Sequence, residues 1–194
     1  VGAVALAGMQ DWMRDNLEAP AMLLGHSLGG AAVLVAAGKV PEAKAVITIG
    51  APADPGHVAH HFQDSVDEIE AEGEAEVLLV GRPFRIKKQF LDDIRDQNMQ
   101  AAIGGLKKAL LIFHSPVDAT VGIENAAHIY EAAKHPKSFV SLDNADHMLS
   151  RKEDAEYVAG VIAAWARRYV CTEGADAAAK PNMAPQAEAG TVVV

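Results

Sequence analysis

Four short apolar runs punctuate the chain, each closed by turn-forming or polar residues. They are Ala21-Met22-Leu23-Leu24, Lys44-Ala45-Val46-Ile47-Thr48-Ile49-Gly50, Ala109-Leu110-Leu111-Ile112-Phe113-His114 and Ser138-Phe139-Val140-Ser141-Leu142. Runs this short, rich in branched residues and bounded by breakers, predict strands rather than helices, and the third of them a buried one. The segments between them carry the longer helical period. Val1 to Leu17 reads as one helix with Val4, Leu6, Ala7, Trp12, Met13 and Leu17 as its apolar residues. A second helix follows the first strand to about Gly38, and a third spans Lys152 to Val170 with Tyr157, Val158, Val161, Ile162, Ala164, Trp165 and Tyr169 on a broad apolar face. Strands alternating with helices predict an α/β fold, a parallel sheet with helices on both faces.

More than fifty residues separate the second and third strands, far beyond a simple crossover. Residues 53–107 therefore read as an insertion between the two strands. Its polar first part, His57 to Glu76, leads into a small hairpin turning at Gly81-Arg82-Pro83. Phe90 to Ile103 then reads as a single helix offering Phe90, Leu91, Ile94, Met99 and Ile103 to one side.

The first strand runs straight into Gly25-His26-Ser27-Leu28-Gly29, and a helix starts at once. A G-x-S-x-G pattern between strand and helix is a nucleophile elbow, a sharp turn that lifts a serine hydroxyl clear of the sheet. Gly25 and Gly29 are expected to leave room where a Cβ would collide with strand or helix. Leu28, directly after the serine, would point its amide at an oxyanion.

Partners for the serine lie at the carboxyl ends of later strands, where an open parallel sheet gathers its functional groups. Asp118 closes the loop after the third strand, and His147 lies in the loop after the fourth. The order Ser27, Asp118, His147 is the order such an elbow requires. A serine needs a base to become a nucleophile, and the base needs an acid to orient it and to stabilise its cation. His26 is expected to point away from Ser27 and to pack or line the pocket edge. His114 is expected to be partly buried beside the acid loop. Asp143 and Asp146 sit too close to His147 in sequence to reach its far ring nitrogen, and read as turn formers.

These phrases carry a family resemblance. Gly25-His26-Ser27-Leu28-Gly29-Gly30-Ala31-Ala32, Ile49-Gly50-Ala51-Pro52 with Asp54-Pro55 and His57-Val58, His114-Ser115-Pro116-Val117-Asp118, and Asn144-Ala145-Asp146-His147 make the chain resemble the α/β-hydrolase superfamily. More narrowly it resembles the hydrolase part of bacterial proteins fused to an OsmC-type domain. The resemblance covers about positions 10 to 170. It implies the α/β-hydrolase fold, here the carboxyl-terminal half of its sheet, with 1–171 as a partial hydrolase domain and 53–107 as a lid-like insertion bordering an acyl or leaving-group pocket. It also implies strands upstream of the elbow and a second oxyanion donor there, so the chain reads as amino-terminally truncated. Residues 172–194 lose periodicity and read as a linker towards a covalently fused C-terminal OsmC-type domain. The implied chemistry is ester or thioester cleavage of a small acyl substrate through an acyl-serine. A perhydrolase-like use of the same triad and a non-catalytic scaffold remain the alternatives.

Composition narrows the partners. Of 194 residues, 50% are hydrophobic, enough for a core, and the net charge of −9 argues against a nucleic-acid surface. No apolar run approaches the length of a membrane span. The single cysteine, Cys171, cannot form an internal disulfide and suits the cytoplasm. His57 and His61 share a helical face with His60 nearby, but no further ligand pattern completes a metal site, and a serine triad needs neither metal nor cofactor.

Overall fold

The computed structural model describes residues 3–56, 63–79, 82–95 and 98–170. The chain opens with α1 (Ala3–Asn16), followed by β1 (Met22–His26), α2 (Leu28–Ala36) and β2 (Ala45–Ile49). The insertion contributes α3 (Gln63–Glu72), β3 (Glu74–Leu79), β4 (Arg82–Lys87) and α4 (Lys88–Arg95). It is followed by α5 (Met99–Gly104), β5 (Ala109–His114), α6 (Glu124–Ala132), β6 (Lys137–Ser141) and α7 (Lys152–Ala166).

Four strands form one parallel sheet in the order β1-β2-β5-β6. Strands β2 and β5 are buried along their whole length, in keeping with their largely apolar runs. Alternate side chains serve opposite layers. Val46, Leu110 and Ile112 pack with Leu34, Ile103 and Ile129 from α2, α5 and α6. Ile47, Ile49, Leu111 and Phe113 pack with Val158, Val161, Ile162 and Trp165 of α7 on the other face. Helices therefore cover both faces, as the alternation of elements predicts. Helix α1 lies on α2, and its Arg14 grips Glu42 ahead of β2 with both oxygens engaged, at 2.5 and 2.9 Å.

The insertion has its own small core. Val66 and Ile69 of α3 meet Ala75 and Val77 of β3 and Leu91 of α4. The hairpin pairs Ala75 with Ile86 and Val77 with Phe84 on one face and Glu74 with Lys87 on the other, and Phe84 is half exposed.

Several boundaries differ from the expectation. The single helix over Phe90 to Ile103 is in fact two, because its apolar residues serve two cores. Leu91 belongs to the insertion, whereas Met99 and Ile103 belong to the main sheet. Asn98 caps the second piece by accepting from the Ala101 amide at 2.9 Å. Trp12, Leu17 and Tyr157, expected on apolar faces, are exposed. Helix α7 ends at Ala166, four residues before Val170. Helix α6 is not anticipated by the pattern at all. His57, His60, His61, the turn at Gly81, Cys171 and the linker lie outside the described residues.

Candidate active site

Strand β1 ends at His26, and the backbone turns sharply at Ser27, with φ 54° and ψ −129°. A non-glycine residue there is strained by on the order of 1–3 kcal/mol and persists only where its surroundings hold it. Two backbone bonds do so. The Ser27 amide donates to the Ile49 carbonyl at 2.8 Å, and the Gly30 amide donates to the Ser27 carbonyl at 2.8 Å. The neighbouring strand ends are tied in the same way, Gly50 N–H to Phe113 O at 2.9 Å and Leu142 N–H to His114 O at 2.9 Å.

The glycines of the elbow do not all matter equally. A Cβ on Gly25 would lie 2.1 Å from the Gly29 carbonyl oxygen, so strand and helix can meet only without one. Gly29, expected to be equally crowded, would have nothing within 4 Å of a Cβ, because that direction leads out of the helix into open space. The close approach falls to Gly30, whose Cβ would lie 2.5 Å from that of Ala51.

Asp118 sits at the end of a turn in which its amide donates to the Ser115 carbonyl at 3.3 Å. Its Oδ1 accepts from the Thr120 and Val121 amides at 2.8 and 2.9 Å. Its Oδ2 faces His147 Nδ1 at 2.7 Å, and the two side chains are 2% and 5% exposed. On the far side of the ring, His147 Nε2 lies 3.0 Å from Ser27 Oγ. A carboxylate can only accept, so Nδ1 carries the proton and Nε2 is free to accept from the serine hydroxyl. The three residues thus form one continuous hydrogen-bonded chain. Gly50, at φ 53°, passes directly beside it, and a Cβ there would come within 3.3 Å of both Asp118 Oδ2 and His147 Nδ1.

The competing residues have separate tasks. Asp146 Oδ1 accepts from the Ser150 amide at 2.8 Å, and that bond holds its carboxyl below the usual range. Asp143 Oδ1 accepts from Ser141 Oγ at 3.0 Å. Both shape the turn, as expected. His114 is more deeply placed than expected, 1% exposed, with Nε2 donating to the Val121 carbonyl at 2.8 Å and lying 3.8 Å from Asp118 Oδ2. His26 bonds through Nε2 to the His147 carbonyl at 2.7 Å, a contact that sequence spacing does not announce. Leu28 occupies the first turn of α2, where amides have no partner within the helix and the helix dipole favours negative charge.

Among the described residues no group of three or more His, Cys, Asp or Glu side chains could hold a metal ion, and no helix is long and apolar enough to cross a membrane. A strained elbow at the carboxyl edge of a parallel sheet, with an Asp–His pair reaching back to its serine, can generate an alkoxide-like nucleophile without a metal. Fold and site together define an α/β-hydrolase.

No protein-family model and no curated protein matches the chain. Among solved structures, the esterase domain of a Rhodothermus marinus protein is 52% identical, with a TM-score of 0.77, over 88% of this chain and 70% of that one. Mouse alpha/beta hydrolase domain-containing protein 10 is 20% identical, with a TM-score of 0.63, over 87% and 70%. Est1E of Butyrivibrio proteoclasticus, solved with ferulic acid bound, is 16% identical, with a TM-score of 0.64, over 88% and 68%. The last two share the fold. The chain belongs to the α/β-hydrolase superfamily and is a carboxylic-ester-hydrolase-like enzyme.

Proposed function

We propose that the chain cleaves an ester or thioester of a small acyl group, with Ser27 as nucleophile, His147 as general acid–base and Asp118 as its orienting acid. The observation that carries this reading is the Ser27–His147–Asp118 chain, at 3.0 and 2.7 Å, on a strained elbow. The Rhodothermus marinus esterase domain supports an ester substrate over an amide.

In this reading Ser27 Oγ attacks the carbonyl carbon while His147 Nε2 takes the hydroxyl proton. Asp118 stabilises the imidazolium so formed. The negative oxygen of the tetrahedral intermediate is held by the Leu28 amide, and one such donor contributes about 2.7–4 kcal/mol. The C–O or C–S bond then breaks, and His147 returns the proton to the departing alcohol or thiol. Water then gives a proton to His147 and attacks the acyl-serine carbonyl; the C–O bond to Ser27 breaks, His147 returns that proton to Ser27 Oγ, and the acid leaves. The insertion is proposed to border the pocket for the acyl or leaving group.

Fluorophosphonate labelling tests the reading. The chain should be labelled once, on Ser27, and Ser27→Ala should abolish both labelling and p-nitrophenyl acetate hydrolysis. A folded chain that is not labelled, or a Ser27→Ala variant that still turns over, overturns it.

A further inference from the structure

His147 sits on a loop whose internal bonds lie to either side of it. Before it, the Ala145 amide donates to the Leu142 carbonyl at 2.7 Å. After it, the Leu149 amide donates to the Asp146 carbonyl at 3.1 Å, and the Ser150 amide to Asp146 Oδ1 at 2.8 Å. Asp143 and Leu149 both have positive φ, 33° and 49°, so the loop bends sharply at each end. The His147 carbonyl takes its bond from outside the loop, from His26 Nε2 at 2.7 Å. The two imidazoles also pack together, centroids 4.9 Å apart and planes tilted by 43°.

His26 is the last residue of β1 and immediately precedes Ser27. One dipeptide therefore holds the serine by its backbone and the histidine base by its main chain. A carbonyl can only accept, so His26 must carry its proton on Nε2. We infer that His26 is a positioning residue. It fixes the main chain of His147 so that Nε2 of that ring stays within hydrogen-bond reach of Ser27. The inference rests on the proposed function, because it assigns His26 a part in that reaction. The side chain touches neither substrate nor reacting atom in this role. Its effect passes through the base, where a misplacement of about 1 Å can cost on the order of a hundredfold in rate.

The test compares His26→Ala, His26→Phe and His26→Gln with the unaltered chain. The readouts are p-nitrophenyl acetate hydrolysis, the rate of Ser27 labelling by a fluorophosphonate, and thermal unfolding. Phe keeps a ring against His147 but loses the donor. Gln keeps a donor at similar reach. The expected result is a kcat lowered about 10- to 100-fold in His26→Ala and His26→Phe, KM within about twofold, and labelling slowed in proportion. His26→Gln should return to within about threefold of the unaltered chain. Equal rates in all three variants, a loss confined to KM, or a Gln variant as slow as the Ala variant overturns the inference. Should the Ala variant not fold, the Phe and Gln pair decides alone. A measurement free of activity stands beside these. Nitrogen-15 NMR of the unaltered chain should show neutral His26 protonated on Nε2, and protonation on Nδ1 instead overturns the inference. Absence of Ser27 labelling in the unaltered chain, by contrast, overturns the proposed function.

Discussion

Asp118 uses its two oxygens for different purposes: Oδ1 is occupied by the Thr120 and Val121 amides, and Oδ2 alone faces His147 Nδ1. This division predicts the behaviour of Asp118→Asn. The backbone amides will keep the side-chain oxygen, so the new NH2 group must take the place of Oδ2. It will donate to Nδ1, leaving the His147 proton on Nε2, where it faces Ser27 and cannot accept. The fold should survive while kcat falls by about 10⁴. Hydrolysis rates with thermal unfolding as a control check this, and near-normal activity would contradict it.

The elbow glycines should separate cleanly. Gly25→Ala places a Cβ 2.1 Å from a backbone oxygen that has nowhere to go. It should cost about 3 kcal/mol or more, a fall in Tm of about 6–12 °C. Gly29→Ala meets nothing and replaces glycine inside α2, so it should leave Tm unchanged or raise it by a few degrees. Thermal unfolding of both variants is sufficient.

Much of this site is readable along the chain, for reasons that lie in local chemistry. Ser27 has a glycine two residues to either side and a strand before it, and Asp118 and His147 lie in loops that directly follow apolar runs, which leaves little choice of position. What is not readable depends on contacts between distant segments. Gly30 is crowded only because Ala51 returns beside it, and His26 finds the His147 carbonyl only once β1 and the loop after β6 share one edge. Phe90 to Ile103 shows an apolar period compatible with one helix, and the period cannot reveal that Leu91 and Met99 serve different cores.

That division of cores predicts what can be removed. Ala53 and Asp54, ahead of the insertion's own core, and Gln100 and Ile103 of α5, after it, line one cavity of about 380 Å³, so the chain enters and leaves that core at nearby points. Replacing 57–97 by a flexible linker of about ten residues should leave Ser27 open to fluorophosphonate labelling. Extending the deletion through α5 removes Met99 and Ile103 from the main core and should abolish folding. Labelling that survives both deletions, or neither, would contradict this.

Burial at His114 has a stability consequence. His114→Leu removes the donor to the Val121 carbonyl in a site that is 1% exposed. A carbonyl left without a partner there costs about 1–3 kcal/mol, or about 2–12 °C in Tm. An unchanged Tm would show that the bond contributes nothing.

The Arg14–Glu42 pair makes stability depend on acid. Its hydrogen bonds to Arg14 hold the Glu42 carboxyl down at about 2, against 4.5 for the free group. A lowered carboxyl pKa means the contribution is present above about pH 4.5 and disappears as pH falls through 2. Glu42→Gln should therefore unfold at a lower temperature than the unaltered chain at pH 6, and the difference should shrink to nothing below pH 2. Both groups face solvent, so the difference at pH 6 should be small.

The backbone bonds that run one step past the strands, Ser27 to Ile49, Gly50 to Phe113 and Leu142 to His114, have a thermal meaning. Each belongs to the ladder of the sheet as much as to the loop beyond it. These amides can exchange with solvent only when the sheet itself opens, and the loops that begin there share that fate. Heating should consequently silence the enzyme and melt the sheet in a single event, with no milder stage at which the chain is still folded but its serine already idle.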